Sequence, residues 1–254
     1  MTRTALITGA AGGIGRAIAA RFVADGFRVV GVDITDPELP GVTYRRANVT
    51  DAAEVVSAVR VAQAASGAVD VLVNCVGITE GRPLHQSSLE EWNSVMTVNL
   101  SSVFLYVREV LPAMMTARTG AVITVGSVLH RTAAPGLPAY AASKGAIAAL
   151  TRQLAVDYGQ YGIHFATVSP GWVRTPATES RLDGERDLER LRQSNPLRLL
   201  CEPEQIANTV AFVASPDGAM LTGSEIVLDA GASAVSPASL LRDAHRTRMG
   251  LPPL

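Results

Sequence analysis

The stretch from Thr4 to Asp33 constrains the fold more than any other part of the chain. Thr4-Ala5-Leu6-Ile7 is a short apolar run suited to a buried parallel strand. It leads into Thr8-Gly9-Ala10-Ala11-Gly12-Gly13-Ile14-Gly15, and residues 16–22 follow with helical spacing. A strand, a glycine-rich turn and a helix start in that order build a phosphate cradle. Glycines let the backbone approach a pyrophosphate, and the helix N-terminus offers free N–H groups and the positive end of its dipole. A glycine cluster alone would mean only a tight turn. Here a second apolar run, residues 28–32, ends on Asp33, 18 residues after Gly15. That is where a dinucleotide-binding unit puts the carboxylate that meets the ribose hydroxyls.

Apolar runs and helical segments keep alternating after this unit. Strands are predicted at 5–8, 28–33, 42–47, 69–74, 121–126, 163–169 and 224–228, with a capping box of Asp51 and Glu54 opening the helix after the third. The pattern predicts an α/β protein: a doubly wound Rossmann fold with a seven-stranded, mostly parallel sheet and helices on both faces. Its length of 254 residues and 48% hydrophobic content fit one domain with a full core, taken as residues 1–235, and residues 236–254 read as a surface tail rich in proline and arginine. A net charge of −1 gives no sign of nucleic-acid or membrane-surface binding. No apolar run approaches ~20 residues and the start runs straight into a strand, so neither a membrane span nor a signal peptide is read. Cys75 and Cys201 make no disulfide framework, which makes a reducing cytoplasm the expected location. No histidine–cysteine spacing suggests a metal.

The chemistry centres on Tyr140 and Lys144, four residues apart on a helix predicted over 139–158 and so on one face of it. A nearby ammonium favours the phenolate, which suits a tyrosine to exchange a proton with a carbonyl or an alcohol. An isolated Tyr-x-x-x-Lys is more often a solvated helix face. Here it has company: Ser127, 13 residues before Tyr140, at the end of the apolar run 121–125; Asn99 in Val98-Asn99-Leu100; Ser169-Pro170-Gly171-Trp172-Val173-Arg174-Thr175; and Val227-Leu228-Asp229-Ala230-Gly231 near the end.

With these motifs in this order, residues 2–234 resemble the short-chain dehydrogenase/reductase family in its single-domain form. The resemblance implies hydride transfer between a nicotinamide and a carbinol or carbonyl carbon. It implies that Tyr140 exchanges the proton, Lys144 assists it and binds the nicotinamide ribose, Ser127 holds the substrate oxygen, and Asn99 positions a water linking the lysine to solvent. The same likeness assigns Gly9, Gly13, Ile14, Gly15, Asn48, Val49, Asn74, Gly77, Val173 and Thr175 to the cofactor, and makes residues 177–195 a lid over the substrate. By composition that charged segment reads only as a solvated helix or loop. The two long helices around 100–111 and 139–158 pack subunits in the family, implying a homotetramer, although ordinary core packing would give the same patterns.

Asp33 followed by Ile34 favours NAD over NADP, because the carboxylate repels a 2′-phosphate and no arginine stands beside it. Three residues depart from the family pattern: Asn48 stands for an aspartate, and Cys75 and Val76 alter the usual Asn-Asn-Ala-Gly. The amide oxygen of Asn48 can still accept a bond from the adenine amino group, and Cys75 reads as a small buried residue. The substrate pocket is nominated from His130, Arg131, Leu137 and Trp172. His130 and Arg131 suit a carboxylate or hydroxyl but equally a solvated loop, and Trp172 is an apolar wall or a core aromatic. The expected activity is an NAD-dependent dehydrogenase or reductase of a small secondary alcohol, diol or ketone. The alternatives are a 3-oxoacyl-thioester reductase, which in the family usually takes NADP, and a non-catalytic NAD-binding regulator.

Overall fold

A computed structural model describes residues 2–36, 38–64, 67–236 and 242–251. Seven strands, β1 (Thr4–Thr8), β2 (Arg28–Asp33), β3 (Val42–Arg46), β4 (Val71–Asn74), β5 (Gly120–Val125), β6 (Ile163–Pro170) and β7 (Glu225–Leu228), form one sheet in the order 3-2-1-4-5-6-7. Every pairing is parallel. The strand order reverses between β1 and β4, and in such sheets ligands bind in the crevice beyond the carboxyl ends at that reversal. Thr8, Asp33, Asn74 and Val125 all end their strands there.

Both faces of the sheet are covered, so central strands carry unbroken apolar runs. Ala5, Ile7, Val29, Val71 and Ile123 bury one face against Ile18 and Phe22 of α1 (Gly13–Ala24) and Ile206 and Val210 of α8 (Pro203–Val213). Leu6, Val30, Leu72, Val122 and Phe165 bury the other against Val55 and Val59 of α2 (Ala52–Gln63) and Tyr106 and Val110 of α4 (Ser102–Ala117). On α4 the apolar stripe divides: Val103, Val107 and Leu111 are buried, whereas Phe104 is 54% exposed.

Two local expectations are corrected. The Asp51 side chain accepts the N–H groups of Ala53 and Glu54, but Glu54 does not return to the Asp51 N–H. That N–H is already given to the Asn48 carbonyl, and Glu54 instead accepts the Asn48 N–H at 2.7 Å. The fourth strand starts at Val71 rather than at 69, and just before it the Asp70 carboxylate accepts the Thr4 N–H at 2.6 Å. The tail carries a helix, α9 (Arg242–Arg248), while its prolines Pro237, Pro252 and Pro253 lie outside the described residues. No helix among the described residues is long and apolar enough to cross a membrane.

Candidate active site

The glycine-rich turn fits a phosphate group for steric and electrostatic reasons. Gly9 has φ +71°, and its N–H donates to the Val32 carbonyl at 2.8 Å, folding the turn onto β2. A Cβ on Gly9 would press on the Cys75 carbonyl at 3.0 Å, and one on Gly15 would collide with the Gly9 carbonyl. Only bare backbone packs this closely. Helix α1 starts at Gly13 with Gly12 as its N-cap, and no side chain caps it, which leaves its first N–H groups for a ligand. Ile14 packs into the core beneath the turn. Thr175 stands against the opposite side, since a Cβ on Gly13 would meet its methyl at 2.8 Å. Its neighbour Val173 is buried.

At the end of β2, Asp33 is half-buried and its two oxygens are held apart in role. Oδ2 accepts the Ala11 N–H at 3.0 Å, and Oδ1 accepts the N–H groups of Ile34 at 2.8 Å and Thr35 at 3.3 Å. The carboxylate is thus fixed beside the turn, while Ile34 stays 62% exposed. Asn48 is exposed, and its Oδ1 accepts both the N–H and the hydroxyl of Thr50, at 3.0 and 2.8 Å. Both bonds engage the amide oxygen that the sequence offers to the adenine amino group. Val49 beside it is buried.

The four candidate catalytic residues converge from three elements. Ser127 follows β5 and is buried; its Oγ accepts the Leu129 N–H at 3.2 Å. Tyr140 and Lys144 project from α5 (Pro138–Tyr158), with the Lys144 Nζ 5.6 Å from the Tyr140 ring centre. Lys144 is buried and donates to the Val125 carbonyl at 2.9 Å, so β5 fixes the ammonium. The half-buried Tyr140 hydroxyl makes no hydrogen bond to another described residue.

Asn99 lies in a π-helical turn, Thr97–Ser101, between α3 (Leu89–Met96) and α4. Such turns recur at functional sites because the extra residue breaks the regular hydrogen-bond ladder. Fully buried, Asn99 accepts the Ile78 N–H at 2.8 Å and donates to the Ile78 carbonyl at 3.0 Å and the Ser143 Oγ at 3.2 Å. Ser143 in turn donates to the Tyr140 carbonyl at 2.7 Å. Sequence reasoning missed Ser143, although its place between Tyr140 and Lys144 puts it on the adjoining helix face. Gly77 leaves room at the centre: a Cβ there would lie 3.5 Å from Lys144 Nζ and 3.6 Å from Asn99 Oδ1.

Below this group, Asn74 donates to Thr124 Oγ1 at 3.3 Å and the Cys75 N–H to Thr8 Oγ1 at 3.1 Å, joining β4 to β5 and β1. Burial pushes the Cys75 thiol up to about 12, against the pull of the Lys144 ammonium. It is a packing residue, not a thiolate.

The substrate side is less closely tied. Leu137 caps α5 without a side-chain bond. Trp172 lines a cavity of about 200 Å³ with Leu191, Leu199 and Leu228, and its buried Nε1 finds no acceptor among the described residues. The charged segment forms α6 (Pro176–Glu179) and α7 (Glu185–Gln193). His130 and Arg131 turn toward β7: His130 Nε2 lies 3.2 Å and Arg131 Nη2 2.6 Å from Glu225 Oε2.

A family profile described as Enoyl-(Acyl carrier protein) reductase matches residues 9–233. Among curated relatives, 2-(R)-hydroxypropyl-CoM dehydrogenase of Xanthobacter autotrophicus is 36% identical over 92% of this chain and 100% of its own length. The 3-oxoacyl-[acyl-carrier-protein] reductase FabG of Escherichia coli is 36% identical over 90% of this chain and 96% of its own. Among solved structures, an oxidoreductase of the short chain dehydrogenase/reductase family from Burkholderia thailandensis superposes with a TM-score of 0.85 at 32% identity, covering 99% of both chains.

Proposed function

The chain belongs to the short-chain dehydrogenase/reductase family, oxidoreductases that use nicotinamide cofactors, and from that premise we propose that it moves a hydride between NAD(H) and a secondary alcohol, diol or ketone. The observation that carries the reading is the convergence of Asn99, Ser127, Tyr140 and Lys144 at the carboxyl end of the sheet. The nicotinamide, when bound, supplies or accepts the hydride. Tyr140 delivers the proton to a carbonyl oxygen in reduction and removes it from the alcohol in oxidation. Ser127 supports the same oxygen: its Oγ accepts from Leu129, so its own proton is left to donate to the charge that develops there. Lys144, held by Val125, offers fixed positive charge to the phenolate. Asn99 fixes the Ile78 loop and, through Ser143, the first turn of α5. The glycine turn and the α1 N-terminus would hold the pyrophosphate, and Asp33 the adenosine ribose.

NAD is preferred to NADP in this reading because Asp33 sits fixed beside an uncharged, exposed Ile34. A secondary alcohol is supported by the 2-hydroxypropyl group in the name of one relative. The enzyme acts as one catalytic domain over residues 1–235, in the cytoplasm. It assembles as a homotetramer through α4 and α5, where Phe104 and Val156 are exposed.

The FabG relative favours a second reading, reduction of a 3-oxoacyl thioester. One screen separates the two. Secondary alcohols, diols, ketones and a 3-oxoacyl thioester are offered with NAD(H) and with NADP(H), following absorbance of the reduced nicotinamide. Turnover of an alcohol–ketone pair with higher kcat/KM for NADH is expected. Preference for NADPH with the thioester would replace the first reading by the second, and nucleotide binding without turnover of any substrate would leave a regulator.

A further inference from the structure

His130 ends in a place that a substrate ligand would not occupy. Its side chain is 11% exposed, and its ring lies between two fixed groups. On one side, Nδ1 is 2.6 Å from the carbonyl oxygen of Ser127. On the other, Nε2 faces Glu225, a 5%-exposed carboxylate on β7, the strand at the far edge of the sheet. Its Cβ rests 3.8 Å from where a Cβ on Gly145 would be, so the residue leans on α5 just after Lys144.

A carbonyl oxygen can only accept, so the proton on Nδ1 is required. Nε2 then either accepts the Arg131 Nε–H, at 3.3 Å, or carries a second proton toward Glu225. Both arrangements keep the bond to Ser127. Glu225 needs neighbouring positive charge because a buried, unpaired carboxylate is strongly disfavoured. Arg131 supplies it at 2.6 Å, the His130 Nε2 lies alongside at 3.2 Å, and neither Glu225 oxygen accepts a well-aligned hydrogen bond. The carboxylate therefore draws the 128–131 turn toward β7 and presses the imidazole against the serine's own peptide group.

We propose that His130 is a positioning residue for Ser127, held in that role by Glu225 and Arg131, and not a ligand of the substrate. The inference rests on the catalytic reading of Ser127. A serine that must meet a developing oxyanion tolerates little displacement, and errors of about 1 Å cost on the order of 10²-fold in rate. Fixing the carbonyl of Ser127 fixes the peptide from which its Oγ projects.

The test uses the full chain and steady-state kinetics with NAD(H) and the best substrate found. His130→Ala should lower kcat by about tenfold or more, with KM and the NADH dissociation constant within about twofold. His130→Asn, whose amide nitrogen stands where Nδ1 stood, should recover most of kcat. His130→Gln, which carries nitrogen at the Nε2 position, should not. Glu225→Gln, which keeps the shape of the side chain, should lower kcat in part. In a Ser127→Ala background, His130→Ala should have no further effect, because a group acting through Ser127 has nothing left to position. Unchanged kcat in His130→Ala, equal loss in the Asn and Gln variants, additive losses with Ser127→Ala, or a rise confined to substrate KM would each overturn the inference. Full activity in Ser127→Ala alone would overturn the catalytic reading, and this inference with it. If His130→Ala does not fold, the Asn–Gln contrast and Glu225→Gln decide the matter.

Discussion

Asn99 and Arg174 hold their surroundings in place by different means. Asn99 is fully buried and spends its amide on three hydrogen bonds, to both backbone groups of Ile78 and to Ser143. Arg174, with 41% of its side chain exposed, ties α6 to the start of α8 by ion pairs to Glu179 at 2.9 Å and Glu202 at 3.3 Å. Helix α7 continues in the second manner, with Arg192 near Glu185 and Glu189. Buried neutral hydrogen bonds ignore salt and break only at the full cost of stranding a polar group. Exposed ion pairs are screened within about a nanometre and contribute little. The contrast divides the labour. Under the proposed function, the floor would hold the proton-handling atoms in one arrangement, while the segment proposed as a lid, residues 177–195, could rearrange around a substrate at little cost.

The sharpest way to break this division is to remove one atom from the floor. Tyr140→Phe loses only a hydroxyl that bonds to no other described residue, so the fold has no reason to change. We expect kcat to fall by about 10²–10⁴-fold, the usual contribution of a general acid–base group. The NADH dissociation constant, read by fluorescence titration, should stay near that of the unmodified enzyme. Retention of more than about a tenth of kcat would remove the tyrosine from proton transfer.

The same division explains what the sequence disclosed. All seven strands were legible as short apolar runs, and the spacing that nominated Tyr140 and Lys144 does place both on one helix, α5, with Asn99 tied to it through Ser143. The π-helical turn at Asn99 was not legible, since it coincides with tertiary bonds from a buried amide to Ile78 that no local spacing announces. The motif spacing at Asn48 does not disclose that its Oδ1 accepts both the N–H and the hydroxyl of Thr50, two residues on. His130 was indistinguishable from a loop residue because its partner, Glu225, is distant in sequence and close only through the order of the sheet. Residues 177–195 were the least legible part: a charged, loosely periodic stretch fits a helix or a loop, and α7 carries three exposed ion pairs within itself.

A change at the rim of the floor should have an intermediate effect. Asp33→Ala with Ile34→Arg removes the fixed carboxylate and supplies a partner for a 2′-phosphate. The ratio of kcat/KM for NADH to that for NADPH should fall by about 10–100-fold, equivalent to roughly 1.4–2.8 kcal/mol of differential binding in the transition state. The Tyr140-dependent step should be untouched, so kcat at saturating cofactor should change little. A ratio that does not move would mean that Asp33 does not read the ribose.

The smallest effect is expected in the lid. Arg174→Ala removes both ion pairs that join α6 to the start of α8, yet all the groups involved face water. Exposed pairs of this kind leave stability nearly unchanged, so the melting temperature should move by no more than about 1 °C. Any kinetic consequence should fall on the substrate. We expect KM to rise by up to about threefold, with kcat and the NADH dissociation constant held, because the lid's resting position shifts while the floor does not. Raising the salt to about 1 M, where the screening length drops to ~3 Å, should bring the unmodified enzyme toward the variant's KM and leave the variant itself almost unaffected. Loss of kcat on removing Arg174 would show that lid and floor are mechanically one unit. The cleft would then owe its precision to the lid as much as to Asn99.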